Sequence, residues 1–126
     1  MDLSEAIDVH LAWRSRLRAA INQRWRVDAA TLARDDACAL GKWLHGDARD
    51  RYSGLSSYAR CVAEHARFHH QAGMVADAIN AREYDKADAM IEMSTGYSAA
   101  SDSAIAALKA LASEADLQPG GREVRP

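Results

Sequence analysis

The chain predicts an all-α fold, and three observations carry that expectation. Its two prolines, Pro119 and Pro126, both sit at the C-terminal end, so the residue that most firmly interrupts a helix is missing from the body of the chain. Alanine is abundant and β-branched runs are absent, a composition that favours helix over strand. Apolar residues recur three or four positions apart over the long stretches, the spacing that lines one face of a helix.

Four helices follow from that spacing. Asp2 followed by Glu5 resembles a capping box and starts the first, whose stripe is Leu3, Ile7, His10, Leu11, Leu17 and Ile21. Val27-Asp28 marks a break, and the stretch to Arg34 reads as a short helical turn. Asp35 or Asp36 can then cap a second helix that carries Cys38 and ends near His45-Gly46, with Gly46 as the terminating residue. Gly46 to Ser57 is rich in Gly and Ser and reads as a loop with room for one helical turn. Ser56 or Ser57 can cap a third helix running to about Asn80, with a buried face of Tyr58, Cys61, Val62, His65, Phe68, His69, Ala72, Val75 and Ile79. A fourth is expected from about Asp85 to Ala112. The small residues in its middle, Ser94 and Ser98 to Ser101, leave space opposite. Residues 1–114 therefore read as one helical domain and 115–126 as a disordered polar tail.

Composition narrows the function. The 126 residues make one domain, large enough to bury roughly 65–70% of the surface of its unfolded chain. Sixteen basic against eighteen acidic side chains give no electrostatic footprint for nucleic acid or an anionic membrane. No stretch approaches the ~20 apolar residues that span a bilayer, and no N-terminal run resembles a signal peptide. Two cysteines make no disulfide framework. The expectation is a soluble cytoplasmic protein with reduced thiols.

The chemistry gathers in two stretches, Cys38-Ala39-Leu40-Gly41-Lys42-Trp43 and His65-Ala66-Arg67-Phe68-His69. His65 and His69 are four apart and share one helix face. Two imidazoles from one turn and a thiolate from another segment supply three ligands for tetrahedral zinc, and His10, on the stripe of the first helix, is the best candidate for the fourth. Taken alone, a histidine on such a stripe is more often a hydrogen-bonded core residue. Two buried histidines one turn apart each need a partner, and a shared metal provides it. Cys38 near a helix N-terminus is expected to have a lowered thiol pKa. Cys61 reads as a core residue, His45 as a helix-end residue and His70 as solvent-facing. Asp8, Asp36, Glu64 and Asp102 are available to orient a ligand imidazole. The glutamate of the HExxH metalloprotease motif is missing, and a closed four-ligand site lacks the open position of catalytic zinc, so no enzyme is expected.

The pattern His10-x-x-Trp13, Cys38-x-Leu40-Gly41-x-Trp43 and His65-x-x-x-His69 resembles the bacterial chemoreceptor zinc-binding domain. The resemblance covers about residues 3–112. It implies an antiparallel four-helix bundle with a short ligand-bearing second helix and zinc in the core, held by His10, Cys38, His65 and His69. It further implies a homodimer in bacterial signalling, linked to chemotaxis or cyclic-di-GMP, with a signalling-protein partner. The signal would be zinc itself or an oxidant such as hypochlorous acid acting on Cys38 as the redox-sensitive ligand. The plainer alternative is a structural zinc staple in a helical interaction module.

Overall fold

A computed structural model describes residues 1–92 and 95–115. Those residues form seven helices and no strand: α1 Leu3–Gln23, α2 Ala29–Leu32, α3 Ala39–Leu44, α4 Asp47–Tyr52, α5 Ser56–Asn80, α6 Tyr84–Met90 and α7 Gly96–Glu114. The predicted tail beyond residue 115 lies outside the described residues, as does Ser94. Among the described residues, no helix is long and apolar enough to cross a membrane.

The three long helices α1, α5 and α7 form the frame. Asp2 caps α1 by accepting from the Glu5 N–H at 3.1 Å, as predicted. The helix ends on Arg24, which takes the left-handed conformation (φ 60°) usually left to glycine. The N–H of Trp25 then reaches back to the Ala20 carbonyl. Helix α5 buries the predicted face, with Cys61, His65, Phe68, His69, Ala72, Val75 and Ile79 all inside. Helix α7 runs antiparallel to α5: Glu114, at its end, meets Ser56 and Ser57, while Gly96, at its start, lies against Gln71. Small residues (Ser98, Ala100, Ser101, Ala104 and Ala107) are buried along α7.

Three predicted elements need correction. The single helix expected over residues 85–112 is two, because Thr95 caps a new start at Gly96 by accepting from the Ser98 N–H at 3.2 Å. Neither Ser56 nor Ser57 caps α5. Both lie inside its first turn, and Glu114 accepts from the Ser57 N–H and both serine hydroxyls. The ligand-bearing helix ends near His45-Gly46 as predicted, with His45 its C-cap and the Gly46 N–H donating back to the Trp43 carbonyl, but the stretch read as a loop after it holds a further helix, α4, for which Gly46 is also the N-cap.

The interior divides into two apolar clusters. One gathers Leu17, Ile21, Leu32, Phe68, Val75, Ile79, Ile91 and Tyr97. The other gathers Leu3, Leu40, Trp43, Leu44, Tyr58, Cys61, Leu108 and Leu111. His10, His65 and His69 are buried yet belong to neither cluster. They come from the middle of α1 and α5, whose two ends feed the two clusters. Burial of three imidazoles between apolar layers is costly unless their nitrogens are satisfied.

Candidate metal centre

Three helices deliver four donor atoms. His10 comes from α1, His65 and His69 from successive turns of α5, and Cys38 is the N-cap of the short α3. Their donor atoms all lie within 4.8 Å of one another. His10 Nε2 is 3.2 Å from His65 Nε2 and 3.3 Å from His69 Nε2. Cys38 Sγ lies 3.3, 3.5 and 3.9 Å from the Nε2 atoms of His65, His69 and His10. Zinc bonds near 2.0–2.1 Å to nitrogen and 2.3 Å to sulfur give tetrahedral edges of about 3.3–3.4 Å between nitrogens and about 3.5–3.6 Å from sulfur to nitrogen. These five separations lie within about 0.3 Å of those edges.

The ring protons point to the same fit. His10 Nδ1 donates to the Ala6 carbonyl at 2.6 Å, and His69 Nδ1 donates to the Leu32 carbonyl at 2.8 Å. Each bond fixes the proton on Nδ1 and leaves a bare lone pair on Nε2. Two such lone pairs, 3.3 Å apart, cannot hydrogen-bond to each other. Protonation is an expensive remedy. Burial holds all three imidazoles below their ordinary range, and His65 falls to about 2 through burial first and its neighbours His69 and His10 second. Converging neutral lone pairs on buried rings are a donor set that could hold a cation.

Cys38 corrects one expectation. Backbone N–H groups of Gly41 and Leu40 do pull its thiol pKa down, as its place at the start of α3 implied, but burial outweighs them and the thiol is pushed up. A helix of six residues offers little to offset burial. A bound metal reverses that balance, since a coordinating thiol is deprotonated outright.

The segment that carries Cys38 is held by close main-chain approach. The Gly41 N–H donates to Cys38 Sγ at 3.3 Å, while the Gly41 Cα packs against the Asp35 carbonyl, where a Cβ would collide. Asp35 therefore does not cap the helix as expected. Its carboxylate instead meets His45 Nε2 at 2.9 Å, joining the two ends of the α3 region. Asp36 pairs with Arg34. On the α5 side, Gly73 lies against Ala33, with its missing Cβ only 2.6 Å from the Ala33 Cβ. Asn80 clasps Val27 twice, accepting from its N–H at 2.9 Å and donating to its carbonyl at 2.7 Å.

The structure brings together the four predicted residues and leaves the others aside. Cys61 lies in the apolar cluster with Trp43 and Leu108, 1% exposed, its thiol pushed up to about 12 by burial. His70 is exposed and His45 sits at the helix end, as expected. The carboxylates expected to orient the ligands do not. Main-chain carbonyls of Ala6 and Leu32 hold two of the rings, and His65 Nδ1 is buried without a partner. Sequence reasoning missed Leu32 because a carbonyl carries no residue signature.

A buried set of one thiol and three imidazoles among helices defines a zinc-type donor site. Residues 10–76 match the family model of the chemoreceptor zinc-binding domain. That match spans more than half of the 126 residues, and the chain belongs to this family. Zinc is its cofactor, and the family is a zinc-binding one and not a known enzyme family. No curated protein and no solved structure matches the chain with significance.

Proposed function

We propose that His10, Cys38, His65 and His69 hold one tetrahedral zinc, and that the domain is a cytoplasmic regulatory module that reads zinc or oxidant through Cys38. The observation that carries the reading is the contrast in access between Cys38 and the rest of the cluster. The three imidazoles are buried, whereas Cys38 is only partly so. Two clefts reach it, one of 180 Å³ beside Glu5, Val9 and His10, the other of 240 Å³ beside Trp13, Thr31 and His69. A metal-bound thiolate in such a place is open to a small oxidant. Hypochlorous acid would transfer its oxygen to Cys38 Sγ, releasing chloride and leaving a sulfenic acid, a two-electron oxidation of sulfur. Loss of that ligand frees the α3 segment, while His65 and His69 stay on α5. Residues 24–55 would then play the part of the second member of a four-helix bundle, with α6 and α7 as a broken fourth.

We take the working form to be a homodimer acting on a bacterial signalling partner, in chemotaxis or cyclic-di-GMP control. Exposed Val9, Leu11 and Trp25, at 45, 51 and 58% exposure, are consistent with a covered surface. The structural-staple reading keeps one argument in its favour. Four donors close the coordination sphere between two apolar clusters, and zinc in such sites can contribute ~10–16 kcal/mol of apparent binding energy to folding.

The test is zinc content by elemental analysis on protein purified without added metal, followed by circular dichroism after a strong chelator and after stoichiometric hypochlorite. About one zinc per chain is expected by the four-ligand count. A helical fold that survives stripping, with an oxidant response abolished by Cys38→Ala, supports the sensor. Collapse on chelation supports the staple. Protein that carries no zinc refutes the four-ligand site.

A further inference from the structure

One of the three imidazoles is not fixed from behind. His10 and His69 have their ring protons tied at Nδ1 by the Ala6 and Leu32 carbonyls. His65 is 1% exposed and its Nδ1 meets no hydrogen-bond partner. This difference decides how the protons can be arranged when no metal is bound.

The inward-facing groups can be counted. His10 Nε2 and His69 Nε2 are acceptors, and the Cys38 thiol is one donor. With its proton on Nδ1, His65 would present a third lone pair to the centre and bury an N–H with no acceptor. Buried orphan N–H groups are the rarer and costlier kind of unsatisfied atom. With its proton on Nε2, His65 donates to His10 Nε2 at 3.2 Å, while the Cys38 thiol donates to His69 Nε2 at 3.5 Å. Two donors then meet two acceptors, and only the bare Nδ1 of His65 lacks a partner.

We propose that His65 is the swing ligand of the site: in the metal-free protein it carries its ring proton on Nε2, shared with His10, and it must move that proton to an acceptorless Nδ1 when a metal takes Nε2. The inference rests on the four-ligand reading given above. The proton count balances. One N–H bond at Nε2 is broken and one at Nδ1 is formed, with no net change on His65, and the single proton released to solvent comes from Cys38. The metal-bound state then contains a buried unsatisfied donor that the metal-free state avoids. Zinc is held about ten-fold or more less tightly than by the same donors with all three rings backed by carbonyls. His65 is also the imidazole that lets go first, which makes the metal exchangeable.

The test is long-range ¹H–¹⁵N correlation NMR of the histidine rings, with peaks assigned from single His→Gln variants. Spectra are taken on the chelator-stripped 126-residue protein and again after one equivalent of zinc. The expected result is Nδ1–H for His10 and His69 in both states, with His65 changing from Nε2–H to Nδ1–H. His65 already in the Nδ1–H form in the stripped protein overturns the inference while leaving the zinc site intact. Three ring spectra unmoved by zinc would sink the four-ligand reading instead, and the stripped spectrum would still decide the tautomer. Should stripping unfold the chain, chelator competition on zinc-loaded variants decides. His65→Ala should lose about ten-fold less affinity than His10→Ala or His69→Ala, and an equal or larger loss overturns the proposal.

Discussion

Helix α5 supplies two of the four clustered donor atoms and the stretch from residue 24 to 55 supplies one, and they do so by opposite means. Helix α5 is one continuous 25-residue element whose own periodicity sets His65 and His69 one turn apart. The other stretch contains three helices of four, six and six residues, too short to be stable alone. It places Cys38 only because other parts of the molecule hold it. Gly41 admits the Asp35 carbonyl, Gly73 admits Ala33, and Asn80 clasps Val27. The lesson is that two donors of one candidate metal site can differ greatly in how firmly the fold holds them. The imidazole pair is part of the frame, and the thiol is on an attachment to it.

The sharpest way to break that contrast is Gly41→Ala. The added methyl meets a backbone carbonyl, which cannot turn aside as a flexible side chain can. Overpacking of this kind typically costs about 1–3 kcal/mol, and here it falls on the residue whose N–H holds Cys38 Sγ. Zinc affinity measured by chelator competition should drop by about a hundred-fold, the upper part of that range. Far-UV circular dichroism should change little, because α1, α5 and α7 are untouched. A variant that binds zinc like the parent would show that the Cys38 segment needs no such close approach.

Asn80→Ala acts on the same attachment from a distance and should do less. It removes two hydrogen bonds to Val27, at the start of the stretch, each contributing about 0.5–1.5 kcal/mol net. The expected outcome is a loss of about 1–2 kcal/mol in denaturant unfolding. Zinc dissociation should also be a few-fold faster. If stability falls and zinc dissociation does not change, the clasp stabilises the fold without serving the site.

The same contrast explains what could be read from the sequence. Helices α1 and α5, and the His65–His69 pair, were legible because their signal is local: apolar spacing, one cap and one turn of separation. His10 was legible only by joining its stripe to the distant pair. The start of α3 was not, because Asp35 and Asp36 are better caps by type than Cys38, and tertiary packing of Gly41 on Asp35 decided otherwise. The break between α6 and α7 had a local signal, Thr95 three residues before Ser98, hidden inside a continuous apolar stripe. The carbonyl partners of His10 and His69 had none at all. A main-chain oxygen is recruited by the path of the backbone, and every residue carries one.

The smallest effect concerns the frame itself. Glu114 near the end of α7 accepts from the Ser57 N–H at 3.2 Å and the Ser57 hydroxyl at 3.0 Å, and so caps α5 from outside the helix. The Ser57 backbone bond, followed by its hydroxyl, lowers the Glu114 pKa below the ordinary 4.5. The sign follows from linkage. A carboxyl whose folded pKa is depressed stabilises fully above its unfolded pKa, and that stabilisation is lost as pH falls through the folded value. Glu114→Gln keeps the shape and an acceptor oxygen but removes the charge. Its thermal midpoint should therefore lie slightly below the parent's at neutral pH, and the gap should narrow below about pH 4.5 and close once Glu114 is protonated. Because the group is solvent-accessible, salt should shrink the gap as well. A gap that persists unchanged into acid would mean that the cap works through shape alone, and that the charge on Glu114 contributes nothing to joining α5 to α7.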